Sequence, residues 1–392
     1  MLTFQRFSMS AVVAGFVAVL VGFASSVAIV LQAANAAGAD DAITASWLLA
    51  LGIGMAVSCI GLSWYYKAPI ITAWSTPGAA LLATSLQGLS LNQAIGVFIF
   101  AAALGLLIGI SGWFDKLSRL LPLPLASAML AGILLQFGLD VFTALQQQQL
   151  LVGLMLLSYL LAKGLAPRYT ILWVLVVGVM VALLQGDTDL STIQFSMATP
   201  IFIQPEWSLS ALLGVGLPLL LVTMASQNIP GIAVLRTSGF NTPASPLITT
   251  TSFLTLILAP FGAFSLNLAA ITAAICTGEE ADPEPAKRYI AGIAAGICYL
   301  MAGLFSATIV ALFAAFPSEF ITALAGLALF STIAVNLANA TANEHYREAA
   351  VVTLLVTASG LQLFGISSAF WGIIGGGLTV LLINKTRAKT KC

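Results

Sequence analysis

Charged residues are scarce in this 392-residue sequence: Asp, Glu, Lys and Arg make up 7% of it, against about a quarter in soluble domains. The chain therefore lacks the polar side chains that a water-exposed globule needs. Its one histidine, His345, and its four scattered cysteines give no CxxC or metal-ligand spacing, which argues against a metal centre, and we expect no cofactor. The 14 basic and 14 acidic residues balance, so no nucleic-acid partner is expected.

Apolar residues dominate instead, at 60% hydrophobic and a mean hydropathy of +1.05. This composition is typical of an integral membrane protein whose surroundings are a lipid bilayer. Cutting the chain at charged and turn-rich points gives fourteen apolar segments, several of them shorter than the ~20 residues of a straight span. They lie near residues 10–34, 44–66, 69–87, 92–112, 121–141, 148–165, 169–186, 209–235, 245–259, 261–277, 289–315, 318–338, 347–364 and 366–384.

Basic residues test this span count, because they accumulate in the cytoplasmic loops of membrane proteins. With the amino terminus inside, the inner positions contain all the basic residues: Arg6, Lys67, Lys116, Arg119, Lys163, Arg168, Arg236, Lys287, Arg288, Arg347, Lys385, Arg387, Lys389 and Lys391. The outer positions contain only acids: Asp40, Asp41, Asp140, Asp187, Asp189, Glu206 and Glu319. The pattern predicts fourteen spans with both termini cytoplasmic, although two neighbouring spans could be added or removed without changing it.

Three pairs of short motifs recur in the same order in the two halves of the chain. A-W-S-T-P-G-A-A at Ala73–Ala80 matches A-F-S-L-N-L-A-A at Ala263–Ala270, and L-A-G-I-L-L at Leu130–Leu135 matches L-A-G-L-A-L at Leu324–Leu329. The third pair sets Gly15, Val21, Ala24 and Ser25 against Gly216, Val222, Ala225 and Ser226. We therefore expect an all-α membrane protein of two seven-span repeats, residues 1–190 and 205–392. An odd number of spans inverts the second repeat, as is typical of secondary transporters.

Segment 3 begins with P-I-I-T-A-W, whose β-branched and aromatic residues suit extended chain, and continues with S-T-P-G. Thr76 is predicted to cap a helix that starts in mid-membrane, with Pro77 at its first position. In segment 10, Pro260 and Gly262 break the chain, and Ser265 or Asn267 could cap a second short helix. The alternative is that Ser-Thr-Pro-Gly only kinks a continuous span.

Two inverted half-helices would point their amino termini at each other. Each terminus offers unpaired N–H groups and about half a positive charge, so the gap between them is predicted to bind an anion without a cationic side chain. In segment 8, Gln227 and Asn228 are candidate donors to a substrate carboxylate, or else they join helices by hydrogen bonds. Trp74 and Phe264 could wall an apolar or ring-shaped substrate, or only pack. The candidate binding residues are Ser25, Trp74, Ser75, Thr76, Pro77, Gln227, Asn228, Phe264, Ser265 and Asn267.

Five strings strongly resemble the benzoate:proton symporter family, BenE, and the resemblance covers essentially the whole chain. They are T-A-W-S-T-P-G-A-A-L-L (72–82), L-N-Q-A-I-G-V-F-I (91–99), V-T-M-A-S-Q-N-I-P-G (222–231), I-T-A-A-I-C (271–276) and V-T-A-S-G (356–360). That family is similar in fold to the uracil permeases. The resemblance implies a core domain of residues 10–112 plus 209–315 and a gate domain of residues 121–186 plus 318–384.

The resemblance further implies proton-driven import of benzoate or a similar aromatic monocarboxylate across a bacterial inner membrane, and a homodimer is one assembly that it allows. The nucleobase relatives place glutamates in spans 8 and 10, whereas the matching stretches here contain none. That difference argues against a nucleobase substrate and against a carboxylate proton relay. The alternative is a small-anion or nucleobase-like carrier without proton symport. An enzyme would need a nucleophile, metal ligands or an acid pair inside the membrane, and the sequence places none there.

Overall fold

The computed structural model describes residues 8–114, 122–186, 188 and 195–389, with the backbone alone at residues 168, 270, 271 and 383–389. Within these ranges the chain is mostly helical, as the sequence predicts. Some charged residues used for the orientation prediction lie outside the described residues: Arg6, Lys116, Arg119, Asp187, Asp189 and Lys391.

The helices and strands follow one another along the chain. They are α1 (Met9–Ala24), α2 (Val27–Ala36), α3 (Asp41–Tyr66), β1 (Thr72–Trp74), α4 (Thr76–Ser85), α5 (Leu91–Ser111), α6 (Leu123–Gln147), α7 (Gln149–Leu165), α8 (Thr170–Gln185), α9 (Leu209–Thr237), α10 (Ala244–Leu258), β2 (Leu266–Leu268), α11 (Ala270–Thr277), α12 (Tyr289–Leu304), α13 (Ser306–Ala314), α14 (Ser318–Ala342), α15 (Arg347–Ala358) and α16 (Ser368–Lys389). Short polar side chains begin several of them. Ser8 accepts the Ala11 N–H, and Ser90 forms a capping box with Gln93.

Six described helices are long and apolar enough to cross a membrane: α3, α5, α6, α9, α10 with its last turn to Phe261, and α14. The count is eight if each of two bent pairs is one span: α1 with α2, bent by 41°, and α12 with α13, bent by 62°. Three shorter apolar stretches of 10–17 residues are α7, α8 and the Ser368–Leu382 part of α16, below the ~20 residues of a straight span. The chain is thus a multi-helical membrane protein, and the count of fourteen spans stays a prediction.

Helix α9 contains the polar cluster of segment 8 within a locally widened turn. Two five-residue π-helical stretches interrupt it, Leu212–Gly216 and Met224–Asn228. Pro218 and Pro230 each follow two residues after one of these stretches. A proline inside a helix removes one hydrogen bond and clashes with the preceding turn, and a widened turn accommodates it. Gln227 and Asn228 therefore project from an irregular part of the helix.

Two strands replace helix where segments 3 and 10 break. β1 and β2 pair antiparallel, with Ala73 opposite Asn267. The pairing continues beyond both strands, because the Ser75 N–H donates to the Ser265 carbonyl at 3.1 Å and the Ala269 N–H donates to Ile71 at 2.9 Å. The expectation of an all-α fold is wrong here. A helix was predicted to start after Ser265 or Asn267, but the backbone of Leu266–Leu268 instead pairs with a strand from the other half of the chain.

The helices pack in two sets that share few large contacts. α12 packs on α3 and α1, α10 on α5, and α2 on α4; separately, α14 and α15 pack on α6, α16 on α15, and α7 on α8. Small residues allow the close approaches. A Cβ at Gly52 of α3 would lie 2.7 Å from the Gly303 Cα of α12. Gly326 of α14 directly abuts the Phe137 carbonyl of α6.

Candidate functional site

Side chains of α3 hold strand β1 in place. Ser63 Oγ accepts the Ile70 N–H and donates to the Ile70 carbonyl, both at 3.1 Å. Ser58 Oγ lies 2.6 Å from Thr72 Oγ1, and the Thr72 N–H donates to Cys59 Sγ at 3.2 Å. Non-helical backbone at membrane depth needs such partners because no water is available there. The preceding helix therefore supplies the support for this half of the strand pair.

Side chains of α9 and α10 hold strand β2. The Leu268 N–H donates to Asn228 Oδ1 at 3.0 Å, and the Leu266 N–H donates to Thr255 Oγ1 at 3.0 Å. Ser265 Oγ lies 3.0 Å from Thr223 Oγ1. Asn228 is 1% exposed, so its amide oxygen supports a strand in the conformation described. Of the two interpretations of Asn228, a hydrogen bond that joins parts of the protein fits this position better than a donor to a substrate carboxylate.

Helix α4 is capped by Ser75, one residue before the predicted cap. Ser75 Oγ accepts the Gly78 N–H at 3.0 Å, and its carbonyl accepts the Ala79 N–H at 2.7 Å. Thr76 is already helical, and Pro77 takes the second position. The Thr76 cap was therefore wrong by one residue, because two hydroxyl residues precede the proline and either could have capped. Within the described part of the chain, neither the N–H nor the hydroxyl of half-buried Thr76 has a hydrogen-bond partner.

Helix α11 has no side-chain cap, contrary to the expectation for Ser265 or Asn267. Its cap position is Ala269, and the two predicted residues lie earlier, at strand β2. The first turn of any helix leaves N–H groups without intrahelical partners. In that turn Thr272 is 6% exposed, and its hydroxyl has no hydrogen-bond partner among the described residues. This end of α11 therefore presents unsatisfied donors.

The antiparallel pairing makes the two short helices diverge from the strand pair. α4 leaves one end and α11 leaves the other, so both amino termini face the strands. Ser75 pairs beyond Trp74 and Ala269 pairs beyond Thr72. Four residues of extended chain separate these cap positions along the strands, which is about 13 Å. Both positive helix ends are thus directed at one short stretch of backbone.

Trp74 packs against the break in the first span, at the two residues Phe23 and Ser26 that lie on either side of Ala24 and Ser25. Trp74 Nε1 donates to Ser26 Oγ at 2.8 Å, and its ring meets Phe23 edge-on, with centroids 5.0 Å apart. Ser25 and Ser26 both donate to the Gly22 carbonyl. A Cβ at Gly22 would lie 3.0 Å from Thr272 Cγ2. This break therefore lies beside the open first turn of α11.

The other predicted residues lie in different surroundings. Phe264 is 1% exposed and packs against Trp47 and Phe98, away from the break in the first span. Asn267 is fully buried; oriented with its oxygen toward the Ser75 N–H, it accepts that hydrogen bond at 2.9 Å. Gln227 is half-buried, and its side-chain amide has no hydrogen bond to any described residue. Thr76 and Gln227 are thus the predicted polar side chains left unpaired.

A cavity of about 670 Å³ opens between the two helix sets. Ser25 is the one predicted residue that lines it. Helix α11 contributes Ala274 and Ile275 to one wall, and the opposite wall includes Lys163 of α7 and Ser331 of α14. The sequence analysis missed this cavity and the unpaired hydroxyl of Thr272. A helix start predicted at Ala270 would have placed Thr272 in the first turn of α11.

A buried charged cluster fixes the far end of α11. Arg288 is 6% exposed and donates to the carbonyls of Thr277, the last residue of α11, and Asp282, each at 2.7 Å. A cation at a helix carboxyl terminus is favourable. The hydrogen bond from Ser8 holds the pKa of Asp282 below its ordinary value, and the Glu284 N–H and the nearby Lys287 and Arg288 add to this against the effect of burial. Asp282 is 7% exposed although it lies in a loop with three other acidic residues, Glu279, Glu280 and Glu284. No cluster of metal-ligating side chains occurs among the described residues.

The family model of BenE, described as benzoate membrane transport protein, matches residues 5–382. The chain belongs to the BenE family. The resemblance to this family is thereby confirmed over nearly the whole sequence.

Two curated relatives support the same family. One, the inner membrane protein YdcO of Escherichia coli K12, is 52% identical over 371 residues, 95% of each chain. Another, the benzoate membrane transport protein of Acinetobacter baylyi, is 44% identical over 384 residues, 98% of each chain. The Acinetobacter relative and the family model are named as membrane transport proteins, the Escherichia coli relative is named as an inner membrane protein, and none of these names is that of an enzyme.

Solved structures share the fold of this BenE chain. The transmembrane domain of the cyanobacterial bicarbonate transporter BicA matches with a TM-score of 0.65 at 14% identity, over 94% of this chain and 97% of that one. SLC26A9 matches with a TM-score of 0.66 at 11% identity, over 97% of this chain and 67% of that one. Murine Slc26a9, an anion transporter in the inward-facing state, gives 0.62 at 12% identity, over 98% and 69%. The chain thus has the fold of these three structures.

Proposed function

We propose that this chain is a secondary active transporter that imports benzoate or a similar aromatic monocarboxylate across a bacterial inner membrane. The observation that carries the proposal is the pair of half-helices α4 and α11, which direct their amino termini at one antiparallel strand pair. Membership of the BenE family supports benzoate as the substrate, and the relative named as an inner membrane protein supports the location.

We propose fourteen membrane segments in two inverted sevens, with both termini in the cytoplasm. The antiparallel pairing of β1 with β2 supports the inversion, because equivalent breaks then run in opposite directions. The two packing sets support a core domain of residues 10–112 plus 209–315 and a gate domain of residues 121–186 plus 318–384. Transport would then move one set against the other.

The carboxylate would bind at one of the two groups of open donors beside the strand pair, because the cap positions lie about 13 Å apart along the strands and one carboxylate does not reach both. The Thr76 N–H and hydroxyl, the first turn of α11 with the Thr272 hydroxyl, and the Gln227 amide lack partners among the described residues. A carboxylate accepts several hydrogen bonds, and those to an ionised group are the stronger ones. Trp74 and Phe23 would wall the ring beside Ser25.

The remaining predicted residues would position this site and not touch the substrate. Ser75 caps α4, Asn228 and Ser265 hold the second strand region, and Asn267 bonds toward Ser75. Pro77 and Phe264 would contribute packing, since both are buried. Their loss would change the geometry of the half-helices and lower affinity indirectly.

Proton symport is the coupling mode that the family resemblance implies. Residues 68–114 and 237–278, which include both breaks, contain no Asp, Glu, His, Lys or Arg. An acidic proton carrier beside the strand pair is therefore not provided by these segments. The mass of the purified protein tests whether it forms a homodimer.

Counterflow of labelled benzoate in proteoliposomes tests the proposal. Unlabelled benzoate should compete, and an inward proton gradient should drive accumulation. Failure of benzoate to compete would remove the substrate assignment.

The second candidate is a small-anion carrier without proton coupling, favoured by the fold shared with a bicarbonate transporter and an anion transporter. Competition by bicarbonate or chloride, without dependence on the proton gradient, would select it. Uracil in the same panel would test a nucleobase-like substrate.

A further inference from the structure

The cavity of about 670 Å³ has a size typical of small-molecule sites. One wall is made by the first span and α11, through Ser25 and Ile275. The other wall is made by α7, α8 and α14. The cavity therefore extends from the break in the first span along the interface between the two helix sets. A substrate that leaves the half-helices toward this interface would enter it.

Lys163 is the one basic residue on the cavity wall among those with described side chains. Its ammonium donates to Ser331 Oγ at 2.8 Å, and Tyr159 Oη lies 3.4 Å from the same oxygen. The lysine is thus tied to α14 by a hydroxyl and not by a carboxylate. An ammonium has three N–H donors, and this contact uses one of them.

The surroundings of Lys163 suit an anion with an apolar body. Val21, Ile275 and Leu327 supply apolar wall, while Thr170 and Thr332 supply hydroxyls. Glu280 also lines the cavity, so the described lining charges sum to zero. An exposed lysine binds a carboxylate weakly and reversibly. Weak binding is what a release path requires.

We propose that Lys163 forms a second carboxylate station, which holds an aromatic monocarboxylate in the cavity between the half-helices and the membrane face on which the cavity opens. This inference rests on the proposed function, because it assumes that such a substrate leaves the strand pair through this cavity. Ser331 is a positioning residue that orients the ammonium. The station sets the affinity on the cavity side and leaves that on the opposite side unchanged.

The test is the KM for benzoate measured separately from each side in oriented proteoliposomes. Lys163→Gln should raise the cavity-side KM by roughly two- to fivefold, the strength of an exposed ion pair, and leave the opposite-side KM unchanged. Lys163→Arg should restore the wild-type value because it keeps the charge. Lys67→Gln is the matched control: Lys67 lies 3.9 Å from the Trp64 ring centroid and does not line the cavity.

Equal cavity-side KM values for Lys163→Gln and Lys67→Gln would overturn the proposal, as would a Lys163→Gln effect of the same size on both sides. If Lys163→Gln does not fold, the wild type provides the test. Added salt should then raise the cavity-side KM more than the opposite-side KM, and equal sensitivity would overturn the station. Absence of benzoate counterflow in the wild type would instead defeat the proposed function itself.

Discussion

The two broken segments solve the same structural problem in different ways. β1 and α4 are closed by side chains: α3 binds the strand, and Ser75 caps the helix. β2 is bound by α9 and α10, while α11 starts without a cap and has the unpaired Thr272 hydroxyl in its first turn. The first break is therefore the more fully supported of the two, although the N–H and hydroxyl of Thr76 have no partner among the described residues. The second is left open, and we expect it to supply most of the ligand donors.

The largest expected effect concerns the anchored end of α11. Arg288→Met removes two charged hydrogen bonds inside a buried cluster. It should therefore lower the free energy of unfolding by about 3 kcal/mol. Thermal unfolding in detergent measures it. Lys287→Met, beside it, loses only an exposed pair with Glu284 and should unfold like the wild type. Equal stability of both variants would show that α11 needs no such anchor.

A second change compares the supports of the two strands. Asn228→Ala leaves the Leu268 N–H buried without its acceptor and should lower the free energy of unfolding by about 1–3 kcal/mol. Ser63→Ala should have a similar cost at Ile70. Transport should separate the two, with the larger loss of benzoate affinity in Asn228→Ala because its strand leads directly into α11. A larger affinity loss in Ser63→Ala would reverse the comparison.

The open and capped helix ends give a third prediction. Thr272→Val keeps the shape but removes an unpaired hydroxyl, so it should weaken benzoate binding by about tenfold without lowering stability. Ser75→Ala should instead affect stability, and lower the free energy of unfolding by about 1 kcal/mol because the helix loses its cap. Isothermal titration calorimetry measures the benzoate affinity of both variants, and thermal unfolding measures their stability. A Thr272→Val protein that binds benzoate normally would contradict the open-end assignment.

The smallest expected effect is a pH dependence from Asp282. Its pKa in the folded protein is lowered, first by the Ser8 hydrogen bond, so its contribution to stability is present above the ordinary aspartate value of about 4. That contribution is lost as the pH falls below this value toward the lowered pKa. Unfolding temperatures between pH 6 and pH 3 should fall more steeply for the wild type than for Asp282→Asn. Parallel curves would show that Asp282 contributes nothing.

Parts of the fold could be predicted because local chemistry decided them. The extended P-I-I-T-A-W string became strand β1, and the break at Gly262 has the predicted irregular backbone, with a φ of +102° and Trp47 packed against it. Strand β2 was missed, since Leu266–Leu268 is extended only through its pairing with a distant segment. Local apolar sequence gives no sign of that partner.

The site was predicted less completely than the fold. Several of the expected residues lie at or next to the strand pair, but hydrogen bonds within the protein already occupy Ser75, Asn228 and Ser265. Which donors remain open depends on the exact start of each helix, and a one-residue error at Ser75 changes the answer. The contact of Lys163 with Ser331 joins residues 168 positions apart. No spacing rule connects them, so the cavity emerges only from the packed helices.

The central claim is that a helix amino terminus at the strand pair, that of α4 or that of α11, binds the substrate carboxylate. A structure with a bromine-substituted benzoate, whose heavy atom marks the ring, measures this most directly. The account predicts the carboxylate within hydrogen-bond distance of the Thr76 N–H or of the first turn of α11, with the ring toward Trp74. A benzoate found away from both helix ends would contradict it.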